Sequence, residues 1–432
     1  MKKFLLLSLL FFYCFSCPAQ LLDRIKNKME QKVVDQIDQS IDKATQKKKR
    51  TEKPVETEST CKTQPENTES QSEIATTETQ TSASVKTSDD ITAYSKFDFV
   101  QGSRIILHED FSQDAVGDFP ANWNTRSGAE LVNIDGKSGK WLRFNQGGVF
   151  YSEGLTDNLP ENFTLQMDLI ASKSVSNIGE FMISIMQTND MDQKFDWGNA
   201  SQVSTPSFKI SFQPTSTEKG QLKYSSNLIG SQYKHGVPEF NKNKNSTRIS
   251  IWRQKQRVRV YLDSTKVLDL PRALDAAEPL NTLTFTAINP DFSQMGGAFY
   301  LANIQLAVGV ADTRNKLLTE GKFTTSGILF DVNSDKILPQ SYGSIKEIAH
   351  VLKESAALKV KIVGHTDSDG NEGDNESLSK RRAVAVKETL KSEFGIDASR
   401  LDTDGKGETD PVDTNDTPVG KANNRRVEFI KL

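Results

Sequence analysis

The sequence predicts a multidomain chain. An antiparallel β-sandwich comes first and a compact mixed α/β domain follows, with a signal peptide, an amphipathic helix and a disordered linker ahead of both. Three observations lead to this. From about residue 96 to residue 310, short runs alternate apolar and polar side chains, the period-two pattern of half-buried strands. From about residue 318, strand-like runs alternate with helix-period stretches, as in an α/β unit. Residues 51 to 95 are mostly Thr, Ser, Glu, Lys and Gln, too polar to offset the entropy of ordering. A length of 432 residues exceeds what one core covers. The formal net charge of −3 leaves no basic footprint for nucleic acid.

Residues 1–19, MKKFLLLSLLFFYCFSCPA, read as a signal peptide: Lys2 and Lys3, then a short apolar core, then small residues at a cut after Ala19. That stretch is too short for a stable membrane span. The rival reading processes the chain at Cys17 as a lipidated cysteine, although the large Phe15 makes a poor lipobox. After a cut at Ala19 only Cys61 remains, so the folded domains hold together by packing without disulfides.

Residues 20–50 predict one amphipathic helix, with Leu22, Ile25, Met29, Val33, Ile37, Ile41 and Ala44 in a single stripe. Such a helix needs a partner, and its mixed charges favour self-association or protein docking over lipid. Residues 51–95 are the linker, a coil spanning on the order of 35–40 Å.

Residues 96–312 predict the sandwich. Phe163, Leu165, Met167 and Leu169 alternate, as do Phe208, Ile210 and Phe212, then Val258, Val260 and Leu262. Leu283, Phe285 and Ala287 share one face of a further run, with Thr282, Thr284 and Thr286 on the other. About ten or more strands are expected. A transmembrane barrel is the rival, but the runs are irregular in length and lack paired aromatic girdles.

Residues 318–432 predict the α/β domain. "GKFTTSGILFDV" and "LKVKIVG" are strands, with a helix through Ile345, Ile348, Ala349 and Leu352 between them. An acidic loop after Gly364 leads into a helix from about Leu378 to Phe394, stopped at Gly395. "RLDTDGKG" and "RRVEFIKL" supply two more strands.

The loop "GHTDSDGNEGDNE" admits several chemistries. Asp367, Asp369 and Asn371 fit the first positions of a calcium loop, but Glu372 stands where glycine is needed and Leu378 where a bidentate Glu is needed. His365, Asp367 and Ser368 are nearly adjacent, an awkward geometry for a catalytic relay. The third reading follows the helical row Leu378, Arg382, Val386, Leu390, which turns Arg382 inward. With Asp367 it would form a site with one negative and one positive pole, suited to a zwitterion, the helix N-terminus adding positive potential. A plain Asp–Arg salt bridge closing the loop is the bland alternative.

Two resemblances add to this reading. "HEDFSQDAVGDFPANW" and "RISIWRQKQRVRVYLDSTKVLDLP" resemble the opening and paired central strands of concanavalin-like or laminin-G-like jelly rolls. That likeness implies carbohydrate or protein binding; no paired-carboxylate signature of a glycosidase accompanies it. "IVGHTDSDG", "NESLSKRRAVAV", "FGIDASRLDTDGKGETDP" and "NRRVEFIKL" resemble the OmpA-like peptidoglycan-associating domain, also found in Pal lipoproteins and MotB. The resemblance implies that Asp367 binds the ammonium of diaminopimelate in the stem peptide and Arg382 its carboxylate, with Thr366, Asn375, Leu378 and Arg425 shaping the pocket. Asp374 departs from the aromatic or Leu common before Asn375 in relatives.

The expectation is therefore an exported, non-enzymatic envelope protein without cofactor, held to peptidoglycan in the periplasm or at the outer membrane. The sandwich would present a second binding surface, for carbohydrate or protein. Two rivals belong to other classes: a glycan-processing enzyme whose sandwich is catalytic, and a calcium-dependent adhesion module.

Overall fold

The structure, a computed structural model, describes residues 97–155, 158–172, 178–215, 218–290, 296–309 and 313–432. The expected signal peptide, amphipathic helix and linker, with Cys14, Cys17 and Cys61, lie outside the described residues. The described residues all belong to one compact unit.

Among the described residues, fifteen strands run from Arg104 to Val308: β1 (Arg104–Glu109), β2 (Trp123–Thr125), β3 (Glu130–Asn133), β4 (Lys140–Phe144), β5 (Gly148–Ser152), β6 (Asn162–Ala171), β7 (Glu180–Met186) and β8 (Ser207–Gln213). The rest are β9 (Gly220–Ser226), β10 (Gly230–Val237), β11 (Ser246–Gln254), β12 (Arg257–Leu262), β13 (Thr265–Leu270), β14 (Thr282–Ile288) and β15 (Phe299–Val308). They form two sheets, one ordered β13-β12-β11-β6-β15-β4-β3 with β1 also on β15, the other β10-β9-β8-β7-β14-β5-β2. All pairings within them are antiparallel.

The alternating residues named above meet in one core. Phe163, Leu165, Met167 and Leu169 of β6 are packed with Ile183, Ile210, Phe212, Val260 and Phe285. The opposite face of the second sheet carries Ser184, Lys209, Thr284 and Thr286, all buried. A helix not foreseen in the sequence, α1 (Met191–Asn199), covers it. Asp190 caps its start by accepting from Gln193 N. Lys209 donates to the carbonyls of Trp197 and Ala200 at its end, and Thr286 Oγ1 donates to Gly198 O at 2.9 Å. The helix end thus satisfies Lys209 and Thr286, while the hydroxyls of Ser184 and Thr284 stay buried without a hydrogen-bond partner.

The C-terminal domain has the sheet order β16-β19-β17-β18, with β17 and β18 parallel. Its strands are β16 (Lys322–Thr325), β17 (Val360–His365), β18 (Leu401–Gly407) and β19 (Val427–Lys431). Helices α2 (Tyr342–Glu354) and α3 (Glu372–Ser392) pack Ile345, Ile348, Leu352, Ala383, Val386 and Leu390 against Val360, Ile362 and Phe429. A short helix, α4 (Pro418–Asn424), precedes β19.

Two expectations need correction. The strand read through "GKFTTSGILFDV" ends at Thr325, where Thr325 Oγ1 accepts from Gly327 N at 3.0 Å and turns the chain. Helix α3 starts at Glu372, six residues ahead of the expected Leu378. Asn371 is its cap, accepting from Asp374 N at 2.9 Å, and Glu372 and Asp374 lie in the first turn, where negative charge suits the helix dipole. The acids of the loop are therefore largely a helix start. Arg382 lies well into the helix, beyond the reach of the N-terminal potential expected to assist it.

Close approach fixes where α3 lies. A Cβ on Gly364 would stand 2.2 Å from Ser379 O, and one on Gly405 would stand 2.4 Å from Lys380 N. Both strands can meet the helix only as glycine.

The two domains share a seam. Phe97 and Phe99 pack with Tyr261 and Trp252 of the sandwich and with Tyr342 of α2. Val419 and Ala422 of α4 pack on Ile105 and Ala307. Asn423 clasps the backbone of Ile105 at both groups: its Oδ1 accepts from Ile105 N at 3.0 Å and its Nδ2 donates to Ile105 O at 3.2 Å.

Candidate functional site

The glycines that seat α3 also bring the loop after β17 against the helix. Asp367 stands just past β17 with only 8% of its surface exposed. Its Oδ1 accepts from Asp369 N at 3.2 Å, and its Oδ2 is paired with Arg425 Nη1. Asn375, in the second turn of α3, holds the loop shape: its Nδ2 donates to Asp367 O at 3.3 Å, to Asp369 O at 3.0 Å and to Glu408. Thr366 N donates to Gly407 O at 2.9 Å, while its Oγ1 is buried without a hydrogen-bond partner.

Leu378 and Arg382 are half-buried, and Val386 and Leu390 below them are fully buried, as the helical row predicts. Arg382 Nε donates to Ser334 O at 3.0 Å, and its guanidinium lies 4.9 Å from the Phe330 ring centre. Burial pulls the Arg382 pKa down, and the Asp367 carboxylate opposes that shift. The salt bridge that closes the loop is therefore Asp367–Arg425, while Arg382 is held by Ser334 and Phe330. Arg425 was expected only to shape the pocket. It reaches Asp367 because α4 ends at the head of the loop.

The calcium-loop residues go three different ways. Asp367 pairs with Arg425, Asp369 takes Lys421 at 2.7 Å, and Asn371 caps α3. His365 points under the sheet, its Nε2 3.6 Å from Glu428 Oε2, away from Ser368 on the exposed loop. Beneath the site, Arg426 and Glu428 form a buried pair at 3.0 Å. Burial would raise the Glu428 carboxyl, but His365, Lys322 and Arg426 beside it hold it down to about 2.

Arg382 and Arg425 open on a cavity of about 370 Å³. Sequence reasoning missed that the sandwich lines its other side. His108 on β1 approaches Arg425, Nε2 to Nη2, at 3.3 Å across 317 residues of chain. Phe330 and Ser334, the partners of Arg382, were also missed. No local pattern marks any of the three, because each acts through a contact made only in the fold.

Residues 329–425 match the OmpA family. The chain is similar to "Outer membrane porin F" of Pseudomonas aeruginosa, 41% identical over 101 residues, covering 23% of this chain and 29% of that protein. It is also similar to "Probable lipoprotein YiaD" of Escherichia coli, 36% identical over 145 residues, 31% of this chain and 64% of that protein. Among solved structures, the cell wall anchor of the T6SS from Pseudomonas aeruginosa is 31% identical, covers 26% of this chain and 80% of that one, and has a TM-score of 0.24. The chain thus spans less than two thirds of the length of these first two relatives. Over residues 329–425 the chain is an OmpA family domain.

Proposed function

We propose that the chain is a non-enzymatic envelope protein whose C-terminal domain holds peptidoglycan by the free end of diaminopimelate in the stem peptide. Its membership of the OmpA family over residues 329–425 supports association with peptidoglycan. The observation that carries the finer reading is a cavity lined by two guanidiniums, Arg382 and Arg425, the second of them paired with the buried Asp367 carboxylate. Arg382 offers its guanidinium to the ligand carboxylate, a pairing suited to two parallel hydrogen bonds. Asp367 receives the ammonium. A carboxylate has about four lone-pair sites, and Asp369 N and Arg425 engage Asp367 at one oxygen each. Arg425 holds the Asp367 carboxylate in place until the ligand arrives. A stem residue lacking either charged end leaves one pole unpaired, which gives selectivity.

The sandwich, on this reading, is concanavalin-like and binds a second partner. Against a catalytic sandwich stands the use of Glu180 on the α1-covered sheet, which binds Lys223 and Ser211. The test is a pulldown on purified diaminopimelate-type peptidoglycan. Asp367→Asn and Arg382→Ala should each abolish retention while the far-ultraviolet spectrum stays unchanged. Retention of both variants at the wild-type level would refute the assignment.

A further inference from the structure

The cavity beside Arg382 and Arg425 has a second wall that belongs to the sandwich: His108 on β1, Asp168 on β6, Arg248 on β11, and Asn303 and Gln305 on β15. Its volume of about 370 Å³ falls in the range of small-ligand pockets. The sandwich therefore borders the site without filling it.

That wall is built. Asp168 spends both oxygens on it: Oδ1 accepts from Arg248 Nη1 at 2.9 Å and Oδ2 from Asn303 Nδ2 at 2.7 Å. Asn303 reaches Asp168 from an unusual backbone state, φ 51°, at a break in the β15 register between Ala302 and Gln305. Bulges of this kind re-aim side chains beside binding sites. The result is a fixed Arg248, its side chain only 13% exposed, whose Nε is buried with no hydrogen-bond partner. A buried donor left unmade is costly unless a ligand completes it.

Charge points the same way. Four guanidiniums line the cavity, Arg248, Arg382, Arg425 and Arg426, the last paired with the buried Glu428, against the lining carboxylates Asp168 and Asp331. Asp168 is engaged by Arg248 and Asn303 at one oxygen each, and Asp331 is held by Lys336 at 3.1 Å. The cavity therefore favours an anion beyond the one carboxylate that Arg382 would take.

We propose that the sandwich is part of the ligand site and that Arg248 binds a second carboxylate of the bound peptide. This rests on the reading of the C-terminal domain given above. It assigns the sandwich side of the cleft to the stem beyond diaminopimelate, a short peptide with a free C-terminal carboxylate. Asp168 and Asn303 act as positioning residues for Arg248.

Calorimetry on the full chain tests it, with three probes: free diaminopimelate, a soluble diaminopimelate-containing stem peptide, and the same peptide amidated at its C-terminus. Arg248→Gln should weaken the free-acid peptide about tenfold and leave diaminopimelate unchanged. Amidation should weaken binding to the wild type by a similar factor and make no difference to Arg248→Gln. The wild-type comparison of acid with amide stands even if the variant folds poorly. Equal binding of acid and amide by the wild type overturns the proposal. So does an Arg248→Gln chain that binds the acid as well as or more tightly than wild type, since the wall would then only obstruct. Loss of both peptide and diaminopimelate in Arg248→Gln also overturns it, as a general distortion of the cleft. A wild-type chain that binds none of the probes overturns the underlying reading, and this inference with it.

Discussion

His108 makes the domain seam sensitive to pH, and the size of the effect follows from its surroundings. Burial lowers its pKa first, and the guanidiniums of Arg425 and Arg248 lower it further. Asp110, 3.7 Å away, opposes them. The outcome is a pKa brought down from 6.5 to about 4. A histidine depressed in the folded state binds fewer protons there than in the unfolded chain between those two values. Its contribution is therefore complete above the unfolded pKa and is lost as pH falls from 6.5 towards 4. Integrated from pH 7 to pH 5, the loss is about 2 kcal/mol. The assay is the urea midpoint of the wild type and of His108→Gln at both pH values. The variant cannot take up this proton, so the wild type should lose about 2 kcal/mol more than the variant over that interval. Equal losses in the two chains would show that His108 is not held neutral at the seam.

Three further outcomes are expected. Gly364→Ala drives a Cβ to 2.2 Å from Ser379 O; overpacking at that level should cost about 3 kcal/mol, read as a lower melting temperature. Glu428→Gln leaves Arg426 buried opposite a neutral group, a loss of about 3 kcal/mol at neutral pH. Because Glu428 is held at about 2 in the fold against an ordinary 4.5, the wild type should lose stability as pH drops between those values. The Glu428→Gln melting temperature should be flatter there. Asn423→Ala strips both partners from the Ile105 backbone. Hydrogen exchange of the Ile105 amide should accelerate, by a factor matching about 2 kcal/mol.

Much of the architecture was legible because it follows from periodicity. The alternation of Phe163 to Leu169 places those four side chains in the core, and the row through Val386 and Leu390 turns α3 inward. Gly395 takes the left-handed conformation expected after a helix, φ 66°. What the sequence hid are interactions between distant parts of the chain. The acids after Gly364 look alike in sequence, yet Glu372 and Asp374 serve a helix start while Asp367 faces Arg425. Helix α1 carries a weak apolar stripe, and its end is tied down by Lys209 and Thr286, both from within strands, while Phe195 packs on Val149 and Tyr151. Arg248 reads as an ordinary strand arginine until β15 breaks register and Asn303 meets Asp168.

The clasp of Asn423 on Ile105 has a consequence for how the molecule would stand on a surface. An amide that satisfies both the N–H and the C=O of one residue acts as a one-residue strand, and it resists twisting as a single bond would not. A chain gripping the wall through its C-terminal domain would then behave as a bracket more than as a leash. The sandwich would keep one heading relative to the polymer below, and a partner approaching it would always meet the same face.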